Sequence, residues 1–191
     1  MRGGLVAIAV IVVLALIIGG SLMGSRNELV TEREAIRGAF AQVDNVLQRR
    51  NDLIPNLVET VKGFAKQEQA VIDSVTKARA SMMGAQAGRD PAKVVEADQE
   101  LRGALSRLLV VVENYPQIKS NENFLRLQDE LENTENRIAV ERRRYNDVVQ
   151  KYNTEIELFP KNIAAMVFGF KREEAYFRAD PAAKQPPQVK F

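Results

Sequence analysis

The sequence predicts an all-α protein: one N-terminal transmembrane helix followed by an up-and-down bundle of long antiparallel helices. Three observations carry this. Residues Gly3–Ser25 contain no charge over 23 positions. Apolar residues beyond them fall at helical spacing almost throughout, and no segment alternates as a strand would. Near the C-terminal end, Phe124, Leu131, Ile138, Tyr145, Tyr152 and Phe159 recur every seven residues.

The apolar run is the first element. Leu5, Val6, Ile8, Val10, Ile11, Val12, Val13, Leu14, Leu16, Ile17 and Ile18 form a core of the length that spans a bilayer, about 20 residues at 1.5 Å each. A cleaved signal peptide has a shorter apolar region, so an uncleaved anchor is expected, although Gly19–Ser21 resembles a cleavage site. Within it, Ala15 and Gly19 are four apart, as are Gly20 and Gly24. Small residues at that spacing let membrane helices approach closely, so self-association through this face is expected. Flanking charge does not decide orientation. The short basic start resembles a signal-anchor and favours a bundle domain on the extracytoplasmic side of the membrane. The expected organisation is an anchor over 1–25, a bundle over 26–178 and a flexible Pro-rich tail over 179–191.

The next segment carries Leu29, Ile36, Val43, Leu47, Ile54, Leu57, Val58, Val61, Ile72 and Val75 in helical phase, and fades near Met82–Gly88. That predicts one first helix of roughly 60 residues, possible as a continuation of the anchor. Inside it stands RRNDLIPNLVETVKG, Arg49–Gly63, with a proline in mid-helix. Two readings remain open. Either the helix bends at Asn51, Asp52, Pro55 and Asn56 with the Asn51 carbonyl freed, or it breaks and Asp52 caps a new helix. The stripe stays in phase across Pro55, which favours the bend.

Asp90-Pro91 offers a cap and a first-turn proline for a second helix, striped by Val94, Leu101, Leu105, Leu108 and Val112 and ending before Tyr115-Pro116. Tyr115–Asn123 reads as a polar turn, with Ser120 and Asn121 as candidate caps. The third helix then runs to about Phe159 and stops at Pro160. Its second seam, Leu127, Thr134, Glu141, Val148 and Glu155, is only partly apolar, so the coiled-coil signature is incomplete and packing within a bundle fits better. FPKNIAAMVFGF, Phe159–Phe170, is the most apolar stretch beyond the anchor and too short at 12 residues to span. Core packing is the first expectation for it. The other is a contact surface with lipid or another subunit through Phe159, Met166, Val167, Phe168 and Phe170.

Composition narrows function. There are 27 basic and 25 acidic residues, a net charge of +2, which gives no electrostatic case for nucleic acid. Cysteine and histidine are absent, removing thiolate chemistry, the commonest metal ligand and the usual neutral-pH base. No catalytic, cofactor or metal site is expected. The acids Asp129, Glu130, Glu132 and Glu135 read as a solvated helix face, and Glu141-Arg142-Arg143-Arg144 as a surface patch.

Three stretches carry a family resemblance: RRNDLIPNLVETVKGFA (Arg49–Ala65), NYPQIKSNENFLRLQDELENTENRIAVERRRYNDVVQKYNTEIELFP (Asn114–Pro160) and AAMVFGFKREEAYF (Ala164–Phe177). The sequence resembles the LemA family of bacterial membrane-anchored helical proteins. The likeness runs from Leu5 to about Phe177 and is weakest at Met82–Lys93 and in the tail. It implies one membrane helix ahead of a long-helix bundle of four-helix type, with no established activity, catalytic residues or cofactor. It also implies association with envelope proteins, including membrane metallopeptidases and proteins of the TPM-domain type. The expected role is therefore a self-assembling scaffold in the lipid bilayer or, alternatively, a regulatory subunit or adaptor for a membrane peptidase or other envelope enzyme. Asn136, Asn146 and Asn153 are expected to bond backbone exposed where a neighbouring helix bends, with Asn56 and the Asn51 carbonyl as the partners to seek.

Overall fold

The computed structural model describes residues 2–178, all helix, turn or irregular segment, with no strand among them. The expected tail over 179–191 lies outside the described residues. Six helices follow in order: α1 (Arg2–Phe64), α2 (Gln69–Gly88), α3 (Pro91–Val112), α4 (Pro116–Lys119), α5 (Glu122–Glu155) and α6 (Lys161–Phe168). The chain divides into two compact units. One takes the described residues up to Ala39 with Tyr145–Glu173. The other takes Phe40–Arg144 with the described residues from Glu174 on.

The apolar run and the helix after it form one element, since α1 continues without interruption from Arg2 to Phe64. It also continues through Pro55, so the reading in which Asp52 caps a new helix is wrong. Asp52 is exposed inside the helix, and its Oδ1 accepts from Gln48 Nε2 at 2.9 Å.

The expected 60-residue segment ending near Met82–Gly88 is two helices. α1 stops at Phe64, Ala65–Glu68 turn, and α2 begins at Gln69. Buried Val61, Ala65, Ile72 and Val75 keep helical phase across the turn, so the periodicity hides it. The sequence marks of the turn are Gly63 and the polar run Lys66–Gln69.

α3 begins as expected: Asp90 accepts from the Ala92 N–H at 3.0 Å, with Pro91 in the first turn. Tyr115–Asn123 is not only a turn, because it contains the one-turn helix α4, with Ile118 buried. Asn121 caps α5, its Oδ1 accepting from the N–H groups of Asn123 (3.0 Å) and Phe124 (3.1 Å). Ser120 does not cap α5; its hydroxyl donates to the Gln117 carbonyl.

α5 ends at Glu155, about one turn before the expected Phe159, and Pro160 stands at the start of α6 instead of ending α5. A proline costs little there, because the first N–H groups of a helix have no intrahelical partner. α6 ends at Gly169, whose φ of 72° is the left-handed conformation that glycine adopts without a Cβ penalty.

In the first unit, buried apolar residues come from α1 (Leu29, Ile36), α5 (Tyr145, Val149, Tyr152) with Ile156 just after it, and α6 (Ala164, Ala165). In the second, they come from α1 (Val43, Leu47, Ile54, Leu57, Val61), α2 (Ile72, Val75, Met82), α3 (Val94, Leu101, Leu105, Leu108) and α5 (Phe124, Leu131, Ile138). Five of the six expected heptad positions of α5 are buried; the sixth, Phe159, lies beyond the helix and is exposed.

Candidate functional site: a polar interior and bare apolar surfaces

The second unit holds an ion-pair cluster in its interior. Arg50 is 0% exposed and Asp98 1%. On α1, Arg50 takes the position that Leu29, Ile36, Val43 and Leu57 hold at intervals of seven, so helical phase drives it inward. On α3, Asp98 lies between Val94 and Leu101 on the buried stripe. A buried charge without a partner is expensive, so each must find one. Arg50 Nη2 donates to Asp98 Oδ1 at 2.8 Å, and Nη1 to Glu135 Oε1 at 3.0 Å. Arg142 from α5 also bonds Asp98 Oδ1, and Arg102 Nε lies 3.7 Å from Asp98 Oδ2. Burial pulls the Arg142 guanidinium below its ordinary value, and the Asp98 carboxylate opposes that shift. Its guanidinium also lies 5.4 Å from the Phe177 ring centre, within cation–π range.

Two sequence expectations fail here. Glu135 is not simply part of a solvated face, because it is partly buried and bonds Arg50. Arg142 is not a surface residue like the exposed Arg143 and Arg144, because its charge is needed inside. The signal that could have found this cluster was the phase: residue 50 falls on an otherwise apolar seam and residue 98 on an apolar stripe.

Beside it lies the solution to Pro55. A proline leaves the carbonyl four residues earlier without its helical N–H. That carbonyl is Asn51's, and Arg79 Nε of α2 donates to it at 2.9 Å. The Asn51 side chain, fully buried, donates from Nδ2 to Gln86 Oε1 at 2.6 Å. Gln86 Nε2 in turn donates to Asp44 Oδ1 at 2.7 Å. Thus Arg79 of α2 satisfies the freed α1 carbonyl and Gln86 the Asn51 amide donor, while the buried Asn51 Oδ1 has no partner among the described residues. The expected partners Asn56 and Asn136 are exposed. Asn153 is buried and does bond backbone, but that of Glu173. Its Nδ2 donates to the Glu173 carbonyl at 2.8 Å, and its Oδ1 accepts from the Glu173 N–H at 2.9 Å. In the same unit, the Tyr152 hydroxyl donates to the Lys171 carbonyl at 2.9 Å.

The other expected sites are surfaces. Leu5, Val6, Ile8, Val10, Ile11, Val12, Val13, Leu14, Leu16, Ile17 and Ile18 are all exposed, and this end of α1 is long and apolar enough to cross a membrane. Ala15, Gly19, Gly20 and Gly24 are exposed too. A Cβ built on any of the three glycines would meet nothing within 4 Å. Phe159 (79%), Met166 (82%) and Val167 (62%) stand in the open. Core packing is therefore not their role, whereas Ala164 and Ala165 of the same stretch are buried. Phe168 and Phe170 are partly covered, by Arg26 at 5.6 Å and Arg33 at 5.3 Å respectively, measured to the ring centres.

In the interior, the Asp98 and Glu135 carboxylates are held by guanidinium groups. Among the described residues, no group of three or more acids is arranged to hold a metal ion.

The family model of the LemA family matches residues 39–191. The chain belongs to the LemA family. Curated relatives include the magnetosome proteins MamQ 1 and MamQ 2 of Paramagnetospirillum magneticum, each 30% identical over 97% of this chain and 76% of their own length. MamQ of Magnetospirillum gryphiswaldense is 28% identical over the same shares. Protein LemA of Metamycoplasma hominis is 23% identical over 75% of this chain and 64% of its own length. The LemA match begins at residue 39, beyond the apolar run, while the MamQ likeness extends over almost the whole chain.

Proposed function

We propose that this LemA-family chain is a non-enzymatic, membrane-anchored helical scaffold of the bacterial envelope that self-assembles through its anchor and a four-helix-type bundle. In this reading the protein crosses the inner membrane once, and the bundle lies on the extracytoplasmic side. The bend at Pro55 is part of the assembly surface.

One observation carries the proposal. The anchor presents two pairs of small residues, Ala15/Gly19 and Gly20/Gly24, all exposed, and a Cβ on any of the three glycines meets nothing within 4 Å among the described residues. The two pairs lie about 140° apart around the helix, and small residues at this spacing permit close backbone approach of a second helix. The interior supports a structural role, since its charged groups are consumed in holding helices together. The magnetosome relatives bear names that state a location and no reaction.

Light scattering of the full chain in mild detergent tests this. A mass at a fixed multiple of the 21.4 kDa chain is expected. A monomer at every concentration would overturn it. Co-purification from native membranes separates this reading from the adaptor alternative, in which a membrane peptidase or other envelope enzyme would come down in stoichiometric amount. Pro55→Ala tests the bend: the variant is expected to stay helical and lose its native assembly.

A further inference from the structure

Beyond the anchor, five large apolar side chains stand exposed within residues 158–167: Leu158, Phe159, Ile163, Met166 and Val167. On α6, Ile163, Met166 and Val167 fall at i, i+3 and i+4, which places them on one helix face. Ala164 and Ala165 of the same helix are buried, and Lys161 and Asn162 are half-buried, so the open face is apolar without a charge.

The position of α6 identifies what covers this face. Within the first unit α6 is tied to the part of α1 that directly follows the apolar run. Lys161 Nζ lies 2.9 Å from Glu28 Oε2 and 2.5 Å from Glu155 Oε2. Arg26 sits over the Phe168 ring and Arg33 over the Phe170 ring. Arg26 is the first charged residue after Ser25. At 1.5 Å per residue, Arg26 to Arg33 extend from about 2 Å to about 12 Å beyond the end of the run. The interfacial layer of each leaflet is roughly 5–8 Å thick, half the difference between the whole bilayer and its hydrocarbon core. The tie points of α6 therefore start inside the headgroup layer.

We infer that the α6 face of Ile163, Met166 and Val167, with Phe159 just ahead of the helix, is a second membrane contact, seated in the boundary between headgroups and acyl chains beside the span. The occupant is a lipid surface. The inference rests on the reading that the α1 run crosses a bilayer, because the span fixes the height of α6. Short apolar faces bind such boundaries weakly alone and firmly beside another anchor, as two-signal lipid attachment does. The consequence is orientational: two contacts fix the tilt and rotation of the first unit on the membrane, where one helix alone would leave them free.

The test uses the chain's lack of tryptophan. Met166→Trp and Leu14→Trp each give the full-length protein a single emitter. Both variants are reconstituted into phosphatidylcholine vesicles brominated either near the headgroups or deep in the acyl chains, with helix content checked by circular dichroism. The expected result is loss of most Met166→Trp emission with shallow bromines and of most Leu14→Trp emission with deep ones. If Leu14→Trp is quenched while Met166→Trp is unquenched and red-shifted, the face is in water and the inference is overturned. If Met166→Trp is unquenched and blue-shifted, a second copy covers it, which also overturns it. If Leu14→Trp itself is unquenched, the span reading fails and the inference falls with it.

Discussion

Two regions of this chain break the rule that apolar residues go inside and polar ones outside, in opposite senses. Around Pro55 of α1, charged and amide side chains are buried: Arg50 with its partner Asp98, and Asn51. Around α6, Phe159, Met166 and Val167 are bare. The first anomaly is largely resolved within the chain. Arg50 has Asp98 and Glu135, the freed Asn51 carbonyl has Arg79, and the Asn51 amide N–H has Gln86, with only Arg50 Nε and Asn51 Oδ1 left unpartnered among these groups. The second finds no cover among the described residues. The difference separates what holds the fold from what acts beyond it: a compensated anomaly is structure, and an uncompensated one points outward.

The comparison breaks most sharply at Asp98. Replacing it with alanine leaves both Arg50 and Arg142 without their shared carboxylate, and removing one partner of a buried pair costs about 3–5 kcal/mol. Denaturant unfolding of Asp98→Ala in detergent should show a loss of that size, and a loss under about 1 kcal/mol would mean the cluster is loosely held. Arg79→Ala comes next. It orphans the Asn51 carbonyl, at a cost of about 1–3 kcal/mol. In a Pro55→Ala background the cost should shrink, because residue 55 then supplies the missing N–H. A double-mutant cycle without coupling would contradict the compensation.

Asn153→Ala in the first unit removes two hydrogen bonds to Glu173 and should cost about 1–3 kcal/mol, with faster proteolysis near Arg172. The smallest effect belongs to Glu28. Its bond to Lys161, then the positive charge of Lys161, hold its carboxyl below the usual 4.5. A depressed carboxylate contributes stability above its unfolded value and loses it as pH falls through the folded one. The melting temperatures of wild type and Glu28→Gln should therefore differ slightly near neutral pH and converge as the pH drops below 4.5.

Most of the helices were legible. The anchor, the Asp90-Pro91 start, the Asn121 cap and the α5 seam all follow from local rules of phase and capping. The α1–α2 turn was not, because Val61, Ala65, Ile72 and Val75 keep helical phase through it and no proline marks it. The buried cluster was half legible. Arg50 sits on an apolar seam, which says that it is buried, but its partners are 48 and 85 residues away on other helices. Asp98 falls on the α3 stripe, but Glu135 is an ordinary member of a charged helix until tertiary packing brings it to Arg50. α6 was legible as apolar, but not as exposed, since composition does not tell which way a short helix faces.

The central claim is that the anchor assembles the protein through its small-residue face. The chain has no cysteine, so a single introduced one reports on its own neighbours. Gly19→Cys, Gly20→Cys and Leu14→Cys should each be oxidised in native membranes and run on a non-reducing gel. A disulfide needs Cα atoms within about 7 Å. The account predicts a covalent dimer from Gly19→Cys or Gly20→Cys and none from Leu14→Cys, which lies on the opposite side of the helix. No dimer from either glycine position would contradict it.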